Sequence, residues 1–459
     1  MVIDPSIFKA YDVRGIYPNQ LNEELATLIG RAFVVWLLEQ PGDKQLPRTI
    51  VMGRDGRTSS PSLSAAIQKG MIEQGAMVID VGVVSSEQFY FACEHFKASG
   101  VTVTASHNPK EYNGMKFVEK IPFFLSGDHG IQEIRALVQQ GEWPAVSKCG
   151  TVRTEDIRAL YKQKLCSIVD PKGLKPLIVV ADTANGVAGP ALEDIAKSLP
   201  ITLYHLFPEL DGTFPNHPAD PLRSENRKDI EEAVRKRSAA AGFAFDGDGD
   251  RCFVMDETGT VIPNDFLGAL FAQYFLTDNP GATFLYDVRV SWAFPQIVER
   301  GGGRAIVGRV GHAFAKPLMM KENAVYGVEV SGHHYFRDFF FCDSGLLPML
   351  LVLQIMSRTQ QPLSELVRPF RERYFISGEI NYTVDNAKEI MERIEARFAD
   401  APKIFRLDGI SIEYPTWHCN VRSSNTEPLL RLNLESIVSP EHMEEKKKEV
   451  ESLIQEFRI

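Results

Sequence analysis

A chain of 459 residues is too long for one compact core, and at about 150 residues per domain it predicts three or four. Its 44% hydrophobic and 24% charged residues are the composition of a soluble globular protein, and a net charge of −10 argues against a general binder of nucleic acid or of anionic membrane. An acidic protein whose ligand is anionic must therefore build local positive pockets. The six cysteines are scattered, with no C-x-x-C pair, which favours buried thiols over a disulfide framework or a zinc site. The opening "MVIDPSIFKAYDVRG" has no basic segment followed by an apolar one, so no signal peptide is expected and the expected location is the cytoplasm.

Segments 49–82, 176–207 and 282–308 share one pattern: an apolar strand, a polar or Gly-rich loop, a helix, then another apolar strand. Strands of this kind joined by helices predict parallel sheets covered on both faces, in a repeated α/β domain. The run "LLPMLLVLQIM", bounded by Ser344, Gly345, Ser357 and Arg358, is too short to span a bilayer and predicts a buried helix. Further on, "RYFISGEINYTVD", "DGISIEYP", "WHCNVRSS" and "LLRLNLESI" read as strands with alternating faces, accompanied by two helices. That mixture predicts an α+β domain with an antiparallel sheet. Ser439 is suited to cap the last helix, with Pro440 and Glu441 in its first turn. The expected domains are 1–150, 151–255, 256–368 and 369–459.

Four stretches carry residues suited to chemistry. In "TVTASHNPKEYNGMKF" Ser106 follows an apolar run but stands outside the G-x-S-x-G setting of a hydrolase nucleophile. Alone, it reads as a turn serine bonded to its own backbone. In "GFAFDGDGDRCFVMD", Asp246, Asp248 and Asp250 alternate with glycines, which in an extended backbone sends all three carboxylates to one side. Such carboxylates repel unless a cation neutralises them, and hard oxygen ligands favour Mg²⁺. A calcium-binding EF-hand loop is disfavoured because Arg251 stands at its glycine position, and a solvated acidic turn because apolar segments flank it. Arg251 is either an ion-pair partner of these carboxylates or a clamp for a phosphoryl oxygen. A phosphoserine brings about −1.5 to −2 charges and three acceptor oxygens. Beside three aspartates it is tolerable only with a divalent cation between them, so a metal-bridged phosphoserine at Ser106 accounts for both stretches.

In "YGVEVSGHHYF", Glu329, Ser331 and His333 alternate and would face sugar hydroxyls together; an ordinary half-buried strand is the plainer alternative. In "NVRSSNTEPLLRL", Arg422, Ser424, Asn425 and Thr426 offer a guanidinium, hydroxyls, an amide and turn N–H groups around one point. That set is either an anion nest or a simple Ser/Asn turn.

Taken in order, "FKAYDVRG", "TASHNP", "DGDGDR", "EVSGHHYF" and "RSSNTEP" resemble the α-D-phosphohexomutase family over essentially the whole chain. The resemblance implies three similar mixed α/β sandwich domains and a smaller C-terminal α+β domain around a central cleft. It implies interconversion of hexose 1- and 6-phosphates, of mannose or glucose, through phosphorylated Ser106 and a hexose 1,6-bisphosphate. By the same resemblance Asp246, Asp248 and Asp250 hold Mg²⁺ with an oxygen of the phosphoserine. Glu329 and Ser331 bind sugar hydroxyls with His333 beside them, and Arg422, Ser424, Asn425 and Thr426 hold the phosphate that is not reacting. Tyr11 and Arg14 line the cleft near the serine. Lys116 and His312 are candidates for proton transfer, or else bind phosphate charge only. Small phosphosugars are the implied partners, and the chain is expected to be a monomer or weak homodimer. Two positions depart from the family pattern: Arg289 stands where a lysine is usual, and Val328 where glycine is common. Arginine keeps the charge but does not exchange a proton. Phosphoglucosamine mutase is the near alternative; a serine-dependent sugar phosphatase and a non-catalytic magnesium-dependent phosphosugar binder are the remoter ones.

Overall fold

Apolar strands lie at the centre of layered α/β folds, as their sequences require. The computed structural model describes residues 3–40, 48–423 and 429–455. The chain divides into two units, one of Met1–Val261 with Gly332–Pro362, the other of Ile262–Ser331 with Leu363–Ile459.

The first unit begins with β1 (Val13–Ile16), α1 (Glu23–Glu39), β2 (Thr49–Arg54), α2 (Ser60–Glu73), β3 (Met77–Val83), α3 (Ser86–Phe96), β4 (Ser99–Val103), β5 (Tyr112–Lys120), β6 (Phe123–Phe124), α4 (Ile131–Gln140) and β7 (Thr151–Thr154). The strand order is β1-β5-β4-β2-β3-β7, with β4, β2, β3 and β7 parallel and β5 antiparallel to both its neighbours. Helices α1 and α2 cross closely enough that a Cβ added at Gly70 would sit 2.0 Å from the Thr27 carbonyl oxygen. Because β2 and β4 are parallel neighbours, the loops that follow them leave the sheet side by side. Ligand sites form at such carboxyl ends of strands.

Next come α5 (Arg158–Ile168), β8 (Leu177–Asp182), α6 (Ala188–Ala196), β9 (Ile201–Leu206), α7 (Lys228–Arg237), β10 (Ala241–Phe245), β11 (Cys252–Met255) and β12 (Val261–Ile262). β9, β8 and β10 are parallel, whereas β10 and β11 form an antiparallel hairpin whose tip is the acidic stretch. The second unit then contributes α8 (Asn264–Asp278), β13 (Thr283–Asp287), α9 (Ala293–Arg300), β14 (Arg304–Gly308), α10 (His312–Glu322) and β15 (Tyr326–Val328), with β13 parallel to both β14 and β15.

At Gly332 the chain rejoins the first unit with the hairpin β16 (His334–Phe336) and β17 (Cys342–Asp343) and then α11 (Leu346–Thr359), which is buried along most of its length as its composition requires. The second unit closes with α12 (Leu363–Arg371), β18 (Phe375–Ile376), β19 (Ile380–Thr383), α13 (Ala387–Arg397), β20 (Lys403–Phe405), β21 (Ile410–Glu413), β22 (Trp417–Ser423), β23 (Leu429–Ser436) and α14 (Pro440–Gln455). This sheet is antiparallel throughout, with Trp417, Val421 and Leu432 packed against Ile394 and Val450 of the helices. Ser439 Oγ accepts the His442 N–H at 3.1 Å and caps α14 as expected. Among the described residues no helix is long and apolar enough to cross a membrane.

Glu87, in the first turn of α3, ties the returning segment to the rest of its unit: it is fully buried and accepts the Ser344 hydroxyl. Burial pushes its carboxyl up from 4.5 to about 8, against the pull of hydrogen bonds from Ser344 and Tyr161. Folded Glu87 thus keeps its proton to about pH 8, whereas in the unfolded chain it loses it near its ordinary value of 4.5. In that window unfolding releases a proton, so this carboxyl's stabilisation is complete below pH 4.5 and is lost as pH rises toward about 8. The loss is at most about 1.4 kcal/mol per pH unit. Urea denaturation of Glu87→Gln beside the parent, at about pH 5 and about pH 8, should show a smaller decline in the variant.

Candidate active site

Ser106 sits in the loop between β4 and β5, 2% exposed and with φ at 49°, in the left-handed region. Its N–H donates to Thr104 Oγ1 at 3.0 Å, and its hydroxyl donates to Asp246 Oδ2 at 2.9 Å. His107 Nδ1 lies 3.2 Å from the same Oγ. Burial first, then the charges of Arg251 and Arg14, push the His107 imidazole well below its ordinary pKa, so it is neutral. The acidic loop reaches the serine through Gly247: a Cβ there would lie 2.4 Å from the Ser106 carbonyl oxygen.

Asp246, Asp248 and Asp250 converge, with carboxylate oxygens within 4.8 Å of one another. The route differs from the extended backbone expected of alternating residues. They occupy the turn between β10 and β11, with Gly249 at φ 75°, and it is the hairpin's curl that gathers them. Lys116 on β5 donates to Asp248 Oδ2 at 2.6 Å and to Asp250 Oδ2 at 2.8 Å. Ser86 Oγ, at the start of α3, donates to Asp248 Oδ2 at 2.6 Å. Arg251 Nε lies 3.6 Å from Asp246 Oδ2 and 4.0 Å from Asp250 Oδ1. Burial pushes all three carboxyls up. At Asp246 that push, reinforced by Asp248 and Asp250, prevails and holds the group well above the ordinary range. At Asp248 and Asp250 the Lys116 ammonium outweighs it and they lie below that range. Lys116 is raised in turn: burial opposes its charge, but the two carboxylates overcome it.

Two buried oxygens, Asp248 Oδ1 and Asp250 Oδ1, have no hydrogen-bond partner among the described residues. Bare buried carboxylate oxygens are costly. An all-oxygen donor set with such atoms fits a hard divalent cation, and Mg²⁺ in particular.

His333 departs from expectation. A turn follows β15, with Gly332 at φ 93°, so Glu329, Ser331 and His333 do not alternate along one strand. His333 belongs to the first unit, with Nε2 3.5 Å from Asp250 Oδ1 and 3.8 Å from Asp343 Oδ2. Arg14 donates from Nη1 to Asn108 Oδ1 at 2.7 Å in the serine loop and pairs with Asp12; Tyr11 is partly buried beside them in sequence.

In the second unit, Arg289 is gripped by Asp287 (Nε–Oδ1 3.0 Å, Nη2–Oδ2 2.8 Å) and by Glu379 (Nη1–Oε2 2.9 Å). Glu329 Oε1 accepts the Gly311 N–H at 3.0 Å, and its Oε2 accepts the Ser331 hydroxyl at 3.0 Å. His312 opens α10, with Nδ1 3.5 Å from Lys316 Nζ. Arg422 Nε donates to Asp408 Oδ1 at 3.1 Å, while Asp408 Oδ2 accepts the Val310 N–H at 3.0 Å. Arg422 Nη1 is buried without a partner among the described residues. Ser424, Asn425 and Thr426 lie outside the described residues.

Sequence reasoning passed over Ser86, Asp287, Glu379, Asp408 and Arg57. Ser86 carried a signal, since "SSEQ" has the spacing of a helix start, with Ser85 and Gln88 forming a capping box. Asp287 bonds Arg289 only two residues on, whereas Glu379, Asp408 and Arg57 are partners whose contacts lie farther off in sequence.

Family models for the phosphoglucomutase/phosphomannomutase domains match the chain in order: the alpha/beta/alpha domain I over residues 5–145, domain II over 157–259, domain III over 263–374 and the C-terminal domain over 379–453. A phosphomannomutase of Salmonella montevideo is 40% identical over 456 residues, covering 97% of this chain and 98% of its own. A Xanthomonas campestris protein described as phosphohexose mutases is 41% identical over 449 residues, with coverage of 97% and 98%. The crystal structure of a phosphoglucomutase/phosphomannomutase family protein from Burkholderia thailandensis superposes with a TM-score of 0.90 at 32% identity, covering 99% of this chain and 98% of that one. The chain belongs to the phosphoglucomutase/phosphomannomutase family, the α-D-phosphohexomutases, and has its four-domain α/β architecture.

Proposed function

We propose that the chain interconverts hexose 1-phosphate and hexose 6-phosphate, of mannose, glucose or both, with Ser106 as the phosphoserine and a hexose 1,6-bisphosphate as the intermediate. The observation that carries this reading is the Ser106 hydroxyl bonded at 2.9 Å to one of three buried, converging aspartates. A cytoplasmic location and a monomer or weak homodimer belong to the same proposal.

In the first half-reaction the bond from phosphorus to Ser106 Oγ breaks as a bond from phosphorus to the free sugar hydroxyl forms, and the serine oxygen takes up a proton as that hydroxyl loses one. In the second, the other phosphoryl group's bond to the sugar oxygen breaks as phosphorus bonds Ser106 Oγ, and the sugar oxygen takes up a proton as the serine loses one. Asp246, Asp248 and Asp250 are the residues to hold Mg²⁺, which when bound supplies positive charge against the charge spread over the moving phosphoryl group. Neutral His107, 3.2 Å from Oγ, is placed to take the serine proton. Lys116 stays protonated between Asp248 and Asp250 and acts as a cation, not a base. Arg251 steadies the phosphoryl oxygens, and His333 lies beside Asp250. Tyr11 and Arg14 bind substrate near the serine, Arg14 also donating to Asn108 of the serine loop.

Glu329 and Ser331 bind sugar hydroxyls, and Arg422 with Ser424, Asn425 and Thr426 holds the phosphate that is not reacting. His312 either transfers a proton or binds phosphate charge. Arg289, pinned by two carboxylates, contributes charge and no proton exchange.

Ser106→Ala should cut mutase turnover by about a thousandfold or more with circular dichroism unchanged. Coupled assays on mannose 1-phosphate, glucose 1-phosphate and glucosamine 1-phosphate are the measurement, with inorganic phosphate followed alongside. Full turnover in the variant refutes the nucleophile, and phosphate release in place of isomerisation refutes the mutase. Chelation should abolish turnover and Mg²⁺ restore it. In calorimetry Asp248→Asn should weaken Mg²⁺ binding by about tenfold or more; unchanged affinity would move the metal elsewhere.

A further inference from the structure

The loop that carries Ser106 is gripped by one buried guanidinium. Arg57, 1% exposed, lies in the connection between β2 and α2. Since Arg54 of β2 pairs with Val103 of β4, that connection emerges beside the serine loop. Arg57 Nη2 donates to the carbonyls of Ser106 and Asn108, each at 2.7 Å. Its Nη1 donates to those of Pro109 at 2.8 Å and Tyr112 at 3.1 Å. Nε lies 3.2 Å from Asp55 Oδ2, and Asp55 Oδ1 accepts the Arg57 N–H at 3.0 Å. The ring of Phe214 covers the guanidinium, its centroid 5.2 Å away.

Both terminal nitrogens are engaged with backbone carbonyls, and Nε is buried beside Asp55. Its work is on the backbone. Ser106 has φ at 49°, a conformation disfavoured for any residue with a Cβ, and it persists only if its surroundings hold it. A planar fork can reach carbonyls on both sides of one loop, whereas the ammonium of a lysine, with three donors on a single point, cannot.

We propose that Arg57 is a positioning residue for phosphoryl transfer: by holding the carbonyls of Ser106, Asn108, Pro109 and Tyr112, it fixes Oγ against Asp246 without touching substrate. This rests on Ser106 being the phosphoserine. A displacement of about 1 Å in a reacting atom costs on the order of a hundredfold in rate.

The test is Arg57→Lys in the full-length enzyme, with Ser106→Ala assayed beside it. The lysine variant should lose about a hundredfold in kcat, with KM for the sugar phosphate changed by less than about twofold, since no substrate contact is removed. The phosphorus NMR resonance of its phosphoserine should broaden or shift, a change that a merely structural anchor would not cause. A folded Arg57→Lys with parental kcat and an unmoved resonance, while Ser106→Ala is dead, overturns the positioning role and leaves the nucleophile intact. Turnover in Ser106→Ala overturns the nucleophile and with it this inference. Where Arg57→Lys does not fold, Asp55→Asn decides, because it loosens Arg57 while leaving it in place. About a tenfold loss in kcat with the same spectral change supports the role, and parental behaviour overturns it.

Discussion

Three carboxylates gathered at the tip of one buried hairpin repel one another, and the neighbouring elements are arranged to contain that repulsion. Lys116 reaches in from β5, Arg251 from the hairpin itself and Ser86 from the start of α3. These contacts leave two carboxylate oxygens without a hydrogen bond among the described residues, which is the opening a divalent cation needs. Asp246 sits above the ordinary range and Asp250 below it, so the three acids are not interchangeable. The one nearest the serine is the one most ready to share a proton, and that asymmetry comes from where Lys116 stands.

The second unit solves the opposite problem, that of keeping arginines available inside an acidic protein. Arg289 is paired with Asp287 and Glu379, and Arg422 with Asp408. Each guanidinium is thereby oriented as a rigid plane, at the expense of some of its donors. Arg422 retains Nη1 for another acceptor, and Glu379 is pulled below its ordinary range, against burial, by Arg289, Arg431 and Arg422 together. Asp408 also holds the Val310 N–H, so one carboxylate links the Arg422 strand to the turn before His312. The guanidiniums are thus oriented by a small number of shared acids.

Much of this was legible in the sequence where local patterning decides. The parallel strands, the antiparallel C-terminal sheet, the buried α11 and the cap at Ser439 all follow from periodicity and turn chemistry. What was not legible was geometry that depends on distant neighbours. Alternation implied an extended run for the aspartates, but a hairpin tip gathers them; it implied one face for Glu329, Ser331 and His333, but a turn at Gly332 sends the histidine to Asp250. The short strand β20 was missed, having only three residues to show a period. Arg57 looked like loop, because its acceptors lie about fifty residues on and come within reach only through the pairing of β2 with β4.

On the proposed reaction a bisphosphate must turn over, and that imposes a last constraint. Each of its phosphates serves once as the group transferred and once as the group merely held, so neither place can be specialised for one carbon of the sugar. In that reading the transferring place calls for a water-poor, fixed nucleophile, and Ser106, the proposed one, is nearly inaccessible and held in a left-handed backbone. The holding place needs only donors of fixed direction. This chain builds the first on contacts to the backbone, Gly247 against the Ser106 carbonyl and Arg57 bonded to it. On the proposed reading Arg422 serves the second. Bond breaking demands placement within fractions of an ångström, whereas charge recognition tolerates more, and Gly247 and Arg57 answer the first demand at Ser106.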